Sequence, residues 1–577
     1  MTLLERRLAW RDVIRSERPA ELRVAILASF TVDPLVPYLG LALEQAGLAA
    51  ELHVGPYGQM AQECLDPAGS TASFRPDIVV VWPRLEDLWA AKPLPLTDAI
   101  DAYIDDLDDL AATALSTRHW GSILVFVLPA VPEVRPLGVG DAGNARGVFA
   151  AACAAREAVR SRLACAPGVL VADAEEVVRT LGTENALDWR RAAIARIPYK
   201  ETTFAVVGER IARLISLSRR GAKKVVAVDA DNTLWGGVVG EDGAAGIDLL
   251  DNGIGEAFRD FQTYLLELRR AGVVLALVSK NNEADVWAAF ERSEMRLRPS
   301  DLATWRVNWD PKSTSIVDIA ADLNLATSAI VLIDDSPLER AEVMTALPEV
   351  GAVEMPSDPA LWYQTVAASG QLDRLPPTDA DLTRADSYQQ EGERRVLRQK
   401  TSLAEFLSSL DLRVEVARLQ LVDVSRAAQL IAKTNQFTLA GHRHSDTELI
   451  ACLEDPRYEL RMVSAADRFG DYGAIGMFIL DREPRPPAVI SGAALLDTFT
   501  LSCRAMGRGV ETAMVAAAFE AAGTALCVTV HDGPKNTPAR GFFADLGWSQ
   551  VGEQAVLRDV AWPSYVTRVN SCEPATA

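Results

Sequence analysis

Two carboxylates stand two residues apart in the run Asp229-Ala230-Asp231-Asn232-Thr233, directly after the apolar stretch Val225–Val228. A strand ending there puts both on one loop, one facing a substrate and the other reaching the leaving-group side. Further polar groups follow in order: Ser279 closes the apolar run Val273–Val278, Lys312 lies in Trp309-Asp310-Pro311-Lys312-Ser313, and Asp334-Asp335 follow Val331-Leu332-Ile333. Paired carboxylates of this kind suit nucleophilic attack by one and general acid–base work by the other. A pair of aspartates alone is more often a solvated loop. The weight rests on four elements occurring in order.

The elements that must hold these groups are legible as apolar runs. VVAVD, VVLALVS and AIVLIDD read as buried strands, each with a polar residue at its carboxyl end, where an open α/β sheet places its ligands. Upstream, Val24–Ser29, Asp77–Trp82, Ser122–Leu128 and Val169–Ala174 are short apolar runs. Helical stretches such as Leu35–Ala46 and Val148–Leu163 separate them, which predicts a parallel sheet covered on both faces. A helical stretch, Ala205–Arg219, leads into the second block. After Leu375-Pro376-Pro377-Thr378 comes a polar segment, Asp381–Lys400, read as a linker helix. A third block from about Leu403 mixes helices with β-rich segments and decays into a polar tail. The expected organisation is residues 1–220, 221–375, a linker at 376–402, and 403–577.

Composition bounds the answer. The chain has 577 residues, which predicts roughly three to five domains. Lys and Arg number 58 against 79 Asp and Glu, a net charge of −21. That balance argues against a nucleic-acid binder, since counterion release needs a surplus of cations. The seven cysteines show no paired or zinc-type spacing, which predicts reduced thiols and a cytoplasmic protein. The N-terminal segment lacks the continuous apolar core of a signal peptide, and no run reaches the 18 or so apolar residues that span a bilayer. A membrane protein is not expected.

The order DxDxT, Ser, Lys, Asp-Asp resembles the haloacid dehalogenase (HAD) superfamily of phosphatases and phosphotransferases. The resemblance implies that Asp229 is the nucleophile forming an aspartyl-phosphate, and Asp231 the acid for the leaving oxygen and then the base for water. It implies Mg²⁺ held by Asp229, the Asp231 carbonyl and Asp334, with Thr233, Ser279 and Lys312 on the phosphoryl oxygens and Asp335 orienting Lys312 or the metal shell. Forty-five residues separate Thr233 from Ser279, and 32 separate Ser279 from Lys312. Neither gap has room for a cap domain, so the site is expected to stay open to a substrate carried on a macromolecule.

In the third block, Arg504-x-x-Gly507-x-Gly509 resembles the pyrophosphate-binding loop of GNAT acyltransferases, where glycines let backbone N–H groups approach phosphate at a helix N-terminus. Asn536, Ala539, Phe543 and Gly547-Trp548 are spaced like a second segment of that fold, with Phe543 where many such enzymes have a tyrosine acid. Together, DADNTLWGGVVGEDG, WDPKS, VLIDDSPLER, KTNQFTL, DRFGDYG and LSCRAMGRGVE resemble the FkbH-like family of polyketide assembly. That resemblance implies a glyceryltransferase/phosphatase that takes 1,3-bisphosphoglycerate, dephosphorylates it and loads glyceryl on the phosphopantetheine of an acyl carrier protein. Cys503, beside Arg504, Arg508 and a helix N-terminus, is the expected acyl-accepting thiolate. His531 is its expected base. Arg504, Gly507, Arg508, Gly509 and Asn536 are expected to bind the pantetheine or carrier, and Asn435 and Gln436 to line the same groove.

The first block resembles a degenerate SGNH-hydrolase fold. Ser29 occupies roughly the nucleophile's place, but its glycine and aspartate neighbours and a DxxH element are missing, so a docking or structural role is expected. The expected class is thus α/β with three domains: SGNH-like, HAD-like without a large cap, and GNAT-like α+β. Two other readings remain: a HAD phosphatase fused to a small-molecule acyltransferase, and a scaffold with vestigial domains.

Overall fold

The computed structural model describes residues 1–15, 18–90, 92, 100–164, 166–250, 253–376, 402–434, 437–439, 443–484, 493–502, 505–528, 537–546, 549–551, 554–557 and 560–569. Three sheets organise them. In the first, β1 (Leu22–Ala28), β2 (Ala50–Val54), β3 (Ile78–Trp82), β4 (Ile123–Leu128) and β5 (Val169–Asp173) are all parallel, in the order β2-β1-β3-β4-β5. Every residue of β3 is buried, as expected of a parallel strand covered on both faces. The helix Glu201–Arg220 packs on this sheet through Phe204, Val207, Ile211 and Ile215, a three-to-four-residue spacing that forms one apolar stripe. β2 was not anticipated: its sequence Ala-Glu-Leu-His-Val lies at the sheet edge, where half-exposed positions leave no continuous apolar run.

The second sheet contains β6 (Val225–Val228), β7 (Val274–Ser279), β8 (Leu302–Val307), β9 (Ile330–Ile333) and β10 (Gly351–Ala352), in the order β10-β9-β6-β7-β8. The pairs β6–β7, β7–β8 and β9–β10 are parallel. All four residues of β6 are fully buried. Burying a valine side chain contributes about 1.5–3 kcal/mol, so this short strand is anchored firmly at the sheet centre. By contacts the chain groups into two units, Met1–Lys224 with Ser328–Pro377 and Val225–Thr327 with Thr378–Ala577.

The third sheet has eight strands: β11 (Arg413–Arg418), β12 (Tyr458–Asp467), β13 (Gly470–Asp481), β14 (Ala494–Leu501), β15 (Leu526–Val528), β16 (Ser549–Val551), β17 (Gln554–Leu557) and β18 (Thr567–Val569). Their order is β16-β17-β15-β14-β13-β12-β11-β18. It is antiparallel except at β14–β15 and β11–β18. The helix Val510–Ala522 packs into its core through Val510, Ala513, Met514 and Ala517. The linker helix expected at Asp381–Lys400 lies outside the described residues. Among the described residues no helix is long and apolar enough to cross a membrane.

Candidate active site

β6 ends at Val228, and Asp229 is the next residue, 7% exposed. The chain then turns sharply. Thr233 and Leu234 donate backbone N–H bonds to the Ala230 carbonyl at 3.1 and 2.7 Å, and Asn232 takes a left-handed conformation with φ of 51°. Asparagine tolerates that region because its short amide bonds locally; here Asn232 Oδ1 accepts the Gly237 N–H at 3.0 Å. At Gly237, with φ of 95°, a Cβ would also run into the Asp242 carboxylate, so glycine is required. The segment runs through the short helix Val239–Gly246, and Gly236 then pairs with Asp248 in an isolated antiparallel bridge.

Lys312 begins the helix Lys312–Asp322, and its side chain is 3% exposed. Its Nζ lies 2.9 Å from Asp229 Oδ1. Asp334, fully buried, follows β9; its Oδ1 accepts the Ser336 N–H at 2.9 Å. Arg340 clamps this turn by donating to the carbonyls of Asp334 and Asp335 at 2.6 and 2.8 Å. One carboxylate oxygen each of Asp229, Asp334 and Asp335 lies within 4.8 Å of the others. Three like charges at that spacing repel unless a cation joins them. Three hard oxygen donors, two of them on buried side chains, fit a hard divalent cation of the Mg²⁺ or Ca²⁺ kind.

Asp231 is held apart from that cluster. Its Oδ1 accepts the Trp235 indole N–H at 2.9 Å and the Val239 backbone N–H at 3.0 Å, and its Oδ2 accepts from Asn281 Nδ2 at 2.7 Å. Trp235 is fully buried and Asn281 is 4% exposed. Neither was singled out from sequence, although both lie within four residues of a motif position. The carboxylate grouped with Asp229 and Asp334 is that of Asp335, whereas the expected metal set was Asp229, Asp231 and Asp334, with Asp231 contributing its carbonyl. Ser279 is buried at the end of β7, and its carbonyl accepts the Asn308 N–H at 3.1 Å, tying the loops after β7 and β8 together. Thr233 is fully buried in the turn.

No protein-family model and no curated protein matches the chain. Among solved structures it is similar to the N-terminal part of the protein BF1531 from Bacteroides fragilis, which contains a phosphatase domain and was crystallised with Mg. The TM-score is 0.58 at 24% identity, covering 65% of this chain and 99% of that one. Over that share the chain has the same fold. An α/β hydrolase, LAE5 from the metagenome of Lake Arreo, Spain, matches at a TM-score of 0.23 and 18% identity over 35% of this chain and 95% of its own.

The third sheet contributes a second group of expected site residues. Cys503, Arg504, His531, Asn536, Asn435 and Gln436 lie outside the described residues. Gly507 and Gly509 do adopt the left-handed conformations, with φ of 73° and 90°, at the start of the helix Val510–Ala522. Their N–H groups, however, are taken internally. Gly507 donates to Glu511 Oε1, and Gly509 to Glu511 Oε2 at 3.1 Å. Burial pushes the Glu511 carboxyl above its ordinary range, against the lowering effect of those N–H bonds and of Arg508. Arg508, expected to face a partner, is instead 8% exposed; it donates to the Tyr472 hydroxyl at 2.6 Å, which in turn donates to Asp467 Oδ2 at 2.6 Å. Its guanidinium also lies 5.2 Å from the Tyr472 ring centre. Phe543 is fully buried and packs edge-on against Phe499 and Phe542. It is a core residue.

In the first sheet, Ser29 follows β1 and is 9% exposed. Its hydroxyl donates to Asp87 at 2.8 Å and accepts the Arg84 N–H at 2.9 Å. Its hydrogen-bond partners among the described residues include no histidine.

Proposed function

We propose that this chain is a HAD-type, Mg²⁺-dependent phosphatase coupled to glyceryl transfer. It takes 1,3-bisphosphoglycerate and delivers a dephosphorylated glyceryl group, as a thioester, to the phosphopantetheine of an acyl carrier protein for polyketide assembly. The observation that carries the phosphatase reading is the grouping of Asp335 with the buried Asp229, Lys312 and Asp334 at the carboxyl edge of one sheet. Asp229 attacks the phosphorus, the P–O bond to the substrate breaks, and protonated Asp231 gives its proton to the departing oxygen. Asp231 then takes a proton from water, whose oxygen attacks the aspartyl-phosphate, releasing phosphate and restoring Asp229. Lys312 neutralises oxygen charge that builds up on the phosphoryl group. Mg²⁺, held by Asp229, Asp334 and Asp335, supplies further charge neutralisation when bound.

The transfer reading rests on the resemblance of the third block, with Cys503 as thiol and His531 as base. Glu511 bears on the alternative. A carboxylate filling the two glycine N–H donors disfavours the pyrophosphate of CoA at that loop, which weighs against a small-molecule acyltransferase. Intact-protein mass measurement of a holo carrier incubated with 1,3-bisphosphoglycerate, Mg²⁺ and this protein should show the added mass of glyceryl. A gain of acetyl from acetyl-CoA instead would overturn the transfer reading.

The metal is testable apart from turnover. Mg²⁺ at a hundred times its dissociation constant should stabilise the folded chain by about 2.7 kcal/mol. Asp334→Asn should lose most of that gain, because one of three anionic donors is gone. Thermal unfolding with EDTA and with Mg²⁺ reads the difference; an equal shift in wild type and variant would place the ion elsewhere.

A further inference from the structure

Asp231 carries the leaving-group proton in the reading above, and three N–H groups hold its carboxylate. Oδ1 accepts the Trp235 indole N–H at 2.9 Å and the Val239 backbone N–H at 3.0 Å, while Oδ2 accepts from Asn281 Nδ2 at 2.7 Å. Each carboxylate oxygen offers two lone pairs. Both on Oδ1 are therefore taken, whereas Oδ2 keeps one. Oδ2 is thus the atom that can carry a proton, and its hydrogen-bond partner among the described residues is Asn281. The amide has to present its nitrogen there, since its oxygen would set acceptor against acceptor.

The three holders come from two places. Trp235 and Val239 follow Asp231 in the same segment, and the Trp235 ring is fully buried, edge-on to Phe290 at 6.0 Å between ring centres. Asn281 arrives from the next loop. It lies two residues beyond Ser279, the last residue of β7, and two before the helix Glu283–Phe290. Its side chain is enclosed: the residue is 4% exposed, and a Cβ on Gly240 would stand 3.7 Å from its Oδ1. The amide therefore sits between the carboxylate and the helix Val239–Gly246, with little room to turn. One loop thus brings Ser279 to the carboxyl edge of the sheet and a fixed donor to Asp231.

We infer that Asn281 is the positioning residue for proton transfer: it fixes Asp231 Oδ2, the atom that gives the proton to the departing oxygen and takes one back from water. This rests on the phosphatase reading above and deepens it. In the first step the O–H bond at Oδ2 breaks as one forms on the departing oxygen, which keeps the electron pair of the broken P–O bond. In the second, a proton of the attacking water passes to Oδ2 as the water oxygen bonds to phosphorus. Asn281 gives up no proton in either step. It holds the angle at which both transfers occur.

The leaving group separates this role from a structural one. Dinitrophenolate departs as a stable anion without a proton, whereas an alkoxide departs only as it gains one. The test is kcat/KM of the full-length protein with Mg²⁺ on 2,4-dinitrophenyl phosphate and on glycerol 3-phosphate. That ratio reports steps up to loss of the leaving group, so slow hydrolysis of the aspartyl-phosphate does not mask the contrast. Asn281→Ala should lower kcat/KM for glycerol 3-phosphate about 10²-fold, and for the dinitrophenyl ester by at least about tenfold less. Asn281→Leu keeps the side-chain volume but has no donor, and it should give the same contrast. Equal losses on both substrates would make Asn281 a brace for the loop, and no loss on either would remove it from the reaction; each overturns the inference. A wild-type protein that hydrolyses neither substrate would overturn the phosphatase reading, and the inference with it.

Discussion

Asp229→Asn should abolish phosphomonoester hydrolysis, by roughly 10³-fold or more, because it removes the atom that forms the covalent bond. The fold should survive. An asparagine oxygen still accepts from Lys312 Nζ, which stands 2.9 Å from the carboxylate in the wild type. Removing one of three carboxylates that share a space of 4.8 Å also relieves repulsion when no cation is bound. Melting without Mg²⁺ should occur below the wild-type temperature, because the buried Lys312 cation then faces a neutral amide. The kept hydrogen bond and the relieved repulsion should make the drop smaller than for loss of Lys312, while the gain on adding Mg²⁺ shrinks. On a carrier, the variant should stop at the phosphoglyceryl thioester. Dephosphorylated glyceryl-carrier appearing at normal speed would refute the assignment of Asp229 as nucleophile.

Lys312→Met should be nearly as damaging, for a different reason. Methionine fills a similar volume, so little packing is lost, but the cation beside Asp229 disappears. The side chains of this pair are 3% and 10% exposed. Removing one partner of so buried a pair costs about 3–5 kcal/mol. Losing a charge aimed at the phosphoryl oxygens should lower kcat by about 10²–10³-fold. Calorimetry and hydrolysis rates read the two effects together. Mg²⁺ should restore part of the stability, since it also screens the three carboxylates, yet leave the rate low. A variant with wild-type rate would show that Lys312 is a structural counter-ion only.

Both expectations start from groups visible in the chain's one-dimensional order. The apolar runs Val225–Val228, Val274–Val278 and Ile330–Ile333 became central strands because a segment buried on both faces must be continuously apolar, whatever lies beyond it. A polar residue ending such a run is then at the sheet's carboxyl edge, so Asp229, Ser279 and Asp334 could be placed before any contact was known. β2 escaped notice because an edge strand carries no such constraint.

Convergence was another matter. That Asn281 and Trp235 would hold Asp231, and that Asp335 would join Asp229 and Asp334, depends on which strands become neighbours and how each loop turns. Asn281 and Asp335 come from segments far along the chain, so packing makes those choices, while Trp235 reaches Asp231 from within the same turn. The glycines before Val510 promised a cradle for an external anion. Their backbone is left-handed, but Glu511 entered the turn from the same helix, and Arg508 turned inward to Tyr472. Local pattern specifies backbone conformation and which face is apolar, because those are fixed by near neighbours and by exclusion from water. Which donor meets which acceptor is decided only when the whole chain has closed around them, since every buried polar group must then find a partner or remain at cost.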